Sequence, residues 1–242
     1  MTRWLKPILY LLLSVFLTRL IPFSSFFRNL DTMVHEFSHA VMALVLSGDV
    51  QRVELHADHS GVTYFRLASS WSHLPIALAG YIGASLFALL LFRLQASGKQ
   101  KLGLILMSGI AALLLILYVH SGFGVYWLIG FLALNILALC LKKQEWLRNG
   151  YYGLLAFLTL EESAMGPVTL VLNSLDNSRS AGDAYSLQEI TGLPALLWSI
   201  VFLLVALACV SRSLQLFAGS PSRPSARRSK GSGIWSRQRM DI

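Results

Sequence analysis

The sequence predicts an all-α polytopic membrane protein of about seven helical segments, with a short β-hairpin after the second of them. Three observations carry this expectation. The chain is 55% hydrophobic and only 13% charged, whereas a soluble domain carries about 25% charged residues. Its apolar runs repeatedly approach the roughly 20 residues that cross a hydrocarbon core, and a mean hydropathy of +0.60 leaves little chain for a soluble domain. The stretch QRVELHADHSGVTYFRL at 51–67 departs from this pattern. Val53, Leu55 and Ala57 alternate with polar residues, HSG supplies a turn, and Val62, Thr63, Tyr64 and Phe65 favour a strand.

The elements follow in order. The N-terminus has a basic start and an apolar run from Pro7 to Leu17. Without an A-x-A-like cleavage site, and with Arg19 and Pro22 interrupting its later part, it reads as an uncleaved span at about 8–27. A helix at about 31–47 comes next, with Asp31-Thr32 at the N-cap position and Gly48 as its stop. Beyond the hairpin, spans are expected at about 74–92, 102–119, 124–141, 150–172 and 193–210. The longest polar connection is NSLDNSRSAGDAYSLQEITG, at 173–192. Cys140 and Cys209 both lie in apolar runs, which argues against a disulfide framework or a cysteine zinc site. The sequence has no internal repeat and no glycine-rich phosphate loop.

The net charge of +8 is concentrated. Residues 211–242 hold Arg212, Arg223, Arg227, Arg228, Lys230, Arg237 and Arg239 against a single acid, Asp241. Rich in Ser, Pro and Gly, this stretch reads as a disordered basic tail behind an integral-membrane domain at 1–210. On a membrane protein such a tail signals cytoplasmic retention and attraction to anionic lipid, so no nucleic-acid partner is expected. Loops 93–101 and 142–148 are also basic and join the tail on the cytoplasmic side, which leaves 120–123 and 173–192 on the opposite face. Arg3 and Lys6 favour an inside N-terminus. The parity of the spans then requires that the helix at 31–47 or the hairpin fail to cross, as a re-entrant hairpin covered by protein would.

Chemistry concentrates in HEFSH, residues 35–39. Ionisable groups are costly in an apolar helix and are functional by default there. Residues i and i+4 share a helical face, so His35 and His39 can present imidazole nitrogens to one metal ion. Glu36 is offset around the helix, close enough to reach a water on that metal and take its proton without being a ligand. A catalytic zinc takes three protein ligands, and His56, Asp58, His59, Glu161, Glu162, Asp176 and Asp183 are all candidates for the third.

Other features have plainer readings. His56, Asp58 and His59 suit a polar turn or a positioning role in the hairpin, whose edge could pair with an extended substrate. Glu161-Glu162 begins the EExxxR pattern of a different family of membrane proteases, but Gly166 stands where that pattern needs arginine. The pair is better read as lying near a metal cavity or marking a break before Gly166-Pro167. Ala79, Gly80, Gly83 and Ala84 of AGYIGAS are spaced for close helix approach. His73 and His120 fit anchoring or exposed roles at the membrane interface.

The stretches VHEFSHA at 34–40, VELHADHSGVTYF at 53–65, AGYIGASL at 79–86 and GDAYSLQEITGLPALLW at 182–198 together resemble the site-2 protease family of intramembrane zinc metallopeptidases. The likeness is to its compact bacterial B-like branch, which lacks a PDZ domain, and it covers most of residues 30–210. It implies one zinc held by His35 and His39, Glu36 as general base, and a late aspartate as third ligand. In the larger family that aspartate belongs to an Asp-Gly pair, which this chain lacks. The branch pattern points to Asp183, while Asp176 in SLDNS is the other aspartate to weigh. The implied activity is cleavage of a peptide bond in or near a transmembrane segment of another protein, in a bacterial cell membrane. The competing class is a non-catalytic membrane protein, either a metal transporter or an inactive relative that acts as a binding partner.

Overall fold

The computed structural model describes residues 4–67, 69–120, 122–141 and 143–219. Arg3, Lys142 and the basic tail from residue 220 onward lie outside them. Eight α-helices and one two-stranded hairpin make up the described residues, so the expected class holds: α1 (Leu5–Val15), α2 (Ser24–Val45), β1 (Asp49–Leu55), β2 (Gly61–Arg66), α3 (His73–Ala96), α4 (Gln100–Leu117), α5 (Phe123–Cys140), α6 (Glu145–Asp176), α7 (Gly182–Thr191) and α8 (Ala195–Gly219). Five of them, α3, α4, α5, α6 and α8, are long and apolar enough to span a membrane. The chain is a multi-pass membrane protein. The eighth helix is α7, which forms within the polar connection at 173–192. α8 runs to Gly219, nine residues past the end expected for the last span.

The N-terminal third departs most from expectation. α1 passes into a π-helical turn, Phe16–Leu20, and the chain then bends by 107° into α2. The cause is local. Pro22 disfavours helix at the residue before it, and Ile21 is extended at φ −107°, ψ 151°. Helix restarts at Ser24 rather than near residue 31, so Asp31 is not an N-cap but lies two turns inside α2. At its other end α2 closes in a Schellman turn. The Gly48 N–H donates to Ala43 O at 2.8 Å and the Ser47 N–H to Leu44 O at 3.0 Å. The left-handed residue of that turn is Ser47, with φ 58°. Gly48 is needed for room instead, because a Cβ there would lie 2.9 Å from Ala43 O.

The hairpin is antiparallel, with Val53 opposite Thr63 and Leu55 opposite Gly61. Its β1 edge is tied to the end of α4, where the Val53 N–H donates to Tyr118 O at 3.0 Å. The main apolar core lies between α3, α4, α5 and α6, with Leu91, Phe92, Leu104, Met107 and Phe157 wholly buried. Tyr10 of α1 stacks on Phe157 at 5.1 Å between ring centroids. α6 continues through Pro167 without a break, so Glu161 and Glu162 do not mark a helix end.

Those two glutamates fasten the bent N-terminal pair instead. Arg19, in the π-helical turn, donates to Glu162 Oε1 at 2.6 Å and to Glu161 Oε1 at 3.3 Å. Arg28, on the far side of the bend, donates to Glu162 Oε2 at 3.0 Å. One acidic pair on α6 thus grips both arms. Removing one partner of a buried ion pair strands the other. Arg19→Met should therefore cost about 2 kcal/mol of stability, below the fully buried case because Arg19 keeps 26% of its side-chain surface. Unfolding in detergent should register the loss, and Arg19→Lys should recover part of it.

Candidate metal centre

The metal-binding geometry begins with helical spacing on α2. His35 and His39 lie one turn apart, with ring centroids 4.6 Å apart, and their Nε2 atoms approach to 3.0 Å. From the first turn of α7, Asp183 Oδ2 stands 3.2 Å from each of those nitrogens. The three atoms form a nearly equilateral triangle. Zinc–ligand bonds of about 2.0–2.1 Å at a tetrahedral angle place ligand atoms about 3.3 Å apart, so the triangle fits one metal ion.

The protonation states point the same way. His39 Nδ1 lies 2.8 Å from Ile76 O, and a carbonyl only accepts, so the ring proton sits on Nδ1 and Nε2 presents a lone pair. Such a bond fixes the tautomer of a metal-ligating histidine. Asp183 Oδ2 is buried and lacks a conventional hydrogen-bond donor. A single proton shared among three acceptors would satisfy one pair of them. A cation at the centre satisfies all three.

α3 supplies the floor beneath the imidazoles. A Cβ at Gly80 would lie 2.5 Å from His39 Nε2 and 2.5 Å from His35 Cε1, and one at Gly83 would collide with Ser38 Oγ. The small-residue stripe of AGYIGAS therefore has a specific partner, the HEFSH face of α2. Tyr81, from the same stripe, packs edge-on against the His35 ring at 4.5 Å and fills the space beside Gly166 of α6.

Glu36 is 4% exposed and points into the same cavity of 720 Å³ as the histidines and Asp183. Its carboxylate Oε2 accepts from Thr63 Oγ1 at 2.6 Å. The hairpin turn comes close by hydrogen bonding to α2. Thr32 Oγ1 donates to His59 O at 2.8 Å and Asn29 Nδ2 to His56 O at 3.2 Å.

The remaining candidates separate cleanly. Asp176 is exposed at the end of α6, away from the histidines. Asp58 folds the turn, accepting from Ser60 N at 3.0 Å and Ser60 Oγ at 2.7 Å, and these bonds hold its carboxyl below the ordinary value. His56 is exposed beside Ser60 and Glu54. His59 lines the cavity in a left-handed conformation, φ 65°, and burial together with nearby Arg28 lowers its pKa. Glu161 and Glu162 are occupied by Arg19 and Arg28, with Glu162 on the cavity wall. His73 begins α3 near Phe65, and His120 is exposed. Ile76 and Thr63 had no sequence signal, since one acts through its carbonyl and the other is a commonplace strand residue.

The contact at Gly80 gives a test that needs no substrate. Gly80→Ala should push the imidazoles off the triangle and lower bound metal at least tenfold, measured by elemental analysis, because outer-shell changes at metal sites cost about 10–100-fold in affinity. Gly109→Ala, where a Cβ meets nothing within 4 Å, should leave metal content unchanged.

A family model described as Peptidase M50B-like matches residues 8–212. Neither the curated proteins nor the solved structures contain a match to the chain. The matched region runs from within α1 to within α8 and takes in the hairpin and every atom of the His35, His39 and Asp183 triangle, and on that match the chain belongs to the Peptidase M50B-like, site-2-protease-like family.

Proposed function

We propose that this protein is an intramembrane zinc metalloprotease, which hydrolyses a peptide bond in or near a transmembrane segment of another membrane protein. The observation that carries the proposal is the 3.0–3.2 Å triangle of His35 Nε2, His39 Nε2 and Asp183 Oδ2 with Glu36 on the wall of the same cavity. One zinc per chain suits two imidazoles and a carboxylate. When bound, it supplies a Lewis acid that polarises a carbonyl and makes water acidic enough to attack near neutral pH.

The chain's own groups do the rest. His35, His39 and Asp183 would hold the metal beside the cavity that they line. Glu36, ionised, accepts the proton of the attacking water and returns it to the leaving amine. The cavity wall is mixed, with Ile76, Ala77 and Leu170 beside Thr169, Asn173 and Ser186. This combination admits an apolar segment while keeping water at the reacting bond. A simple metal transporter has no need of a carboxylate placed beside the ligands but outside them.

Counted as one broken span, the bent α1–α2 pair brings the crossings to six. An even number puts both chain ends on one side, and the basic loops and tail make that side cytoplasmic, in a bacterial cell membrane.

Purified protein in detergent should hold about one zinc per chain. His39→Ala and Asp183→Ala should lose it and Asp176→Ala should keep it. Loss in Asp176→Ala with retention in Asp183→Ala would overturn the ligand set. Glu36→Gln should keep zinc and lose cleavage of a membrane-protein substrate by at least a thousandfold, since general-base and electrostatic roles contribute about 10²–10⁴-fold each. A zinc-loaded wild type without peptidase activity on any membrane-protein substrate would favour the non-catalytic reading.

A further inference from the structure

We propose that Thr63 of the hairpin is a positioning residue for the general base, fixing the Glu36 carboxylate so that Oε1 is the oxygen that takes the proton; this rests on the metalloprotease reading. A glutamate side chain has three torsions, and nothing in α2 itself fixes where its carboxylate points. The hairpin does. Thr63 Oγ1 lies 2.6 Å from Glu36 Oε2, the length of a charge-assisted hydrogen bond to an ionised carboxylate. An ionised carboxylate only accepts, so the hydroxyl proton lies between them and Oε2 is engaged. Glu36 Oε1 faces Gly61, where a Cβ would lie 2.6 Å away, and Gly61 itself lines the cavity. Any side chain at 61 would displace that oxygen, so the lack of a Cβ at Gly61 is what lets the carboxylate lie there with Oε2 on Thr63 and Oε1 not engaged by Thr63.

The mount is rigid enough for the purpose. Thr63 and Gly61 alternate inward on β2 opposite the buried Val53 and Leu55. The turn between the strands is hydrogen-bonded to α2 through His56 O and His59 O, and β1 is bonded to the end of α4. Thr63 Oγ1 also stands 3.2 Å from Glu36 O. A purely structural role would use that longer contact and would be indifferent to the carboxylate.

The test uses the full-length zinc-loaded protein in detergent and two readouts. One is calorimetric binding of acetohydroxamate, a metal chelator whose proton the base must accept. The other is kcat and KM on a quenched peptide containing an apolar segment of about 20 residues. Thr63→Val keeps shape and removes the donor, and Thr63→Ser keeps the donor. Thr63→Val should weaken acetohydroxamate about tenfold and lower kcat with little change in KM, as expected for loss of one hydrogen bond to a charged group. Thr63→Ser should restore both; zinc content should be the same in all three, and melting temperature the same in wild type and Thr63→Ser. Equal acetohydroxamate affinity in wild type and Thr63→Val would overturn the proposal while leaving the metal reading intact. Loss of zinc or stability in both variants would also overturn it, by making Thr63 a structural link. A wild type that holds zinc, binds acetohydroxamate and cleaves no peptide would count against the protease reading alone, with the Thr63 effect on affinity still deciding the positioning role.

Discussion

Three electron-pair donors brought within 3.2 Å of one another repel unless a cation lies between them. This repulsion is the constraint around which the rest of the structure is organised. Helical spacing alone brings two imidazoles to one face of α2. Keeping them together, and adding a carboxylate from a segment almost 150 residues later, takes support from three other elements. α3 comes close enough at Gly80 to seat both rings and offers Ile76 O to one of them. α7 presents Asp183 from its first turn. α6 carries the connection that lets α7 fold back over the site.

The N-terminal bend serves the same end. A straight continuation of α1 into α2 would be interrupted by Pro22 in any case. The 107° turn sets α2 at a steep angle to α1, and the ion pairs from Arg19 and Arg28 to Glu161 and Glu162 fix that angle against α6. These four charges are tolerated inside an apolar bundle because each has an opposite charge beside it. The same two glutamates that resemble a catalytic pair in sequence are thus consumed in holding the helix that carries His35, Glu36 and His39.

The hairpin occupies the remaining side. Its turn hydrogen-bonds to α2, its second strand meets the Glu36 carboxylate through Thr63, and its first strand is bonded to the end of α4. The His35, His39 and Asp183 triangle, Glu36 and the second strand form one connected unit, in which a shift of the hairpin is a shift of the Glu36 carboxylate.

Much of this was legible in the sequence, for reasons of period and composition. Apolar runs of bilayer length gave the five long spans, strand alternation and HSG gave the hairpin, and the i, i+4 spacing of His35 and His39 put both imidazoles on one face of α2. These are local properties, written in consecutive residues. What tertiary structure decided is what depends on distance across the fold. Spacing could not separate Asp183 from Asp176 or from Glu161 and Glu162, because only the folding of α7 back onto α2 places one carboxylate 3.2 Å from both imidazoles. Nor could it show that Gly80 makes room for the imidazoles, that Ile76 contributes a carbonyl, or that Thr63 donates to the Glu36 carboxylate. Each of those roles belongs to a pair of atoms far apart in the chain, and no pattern within either segment records the other.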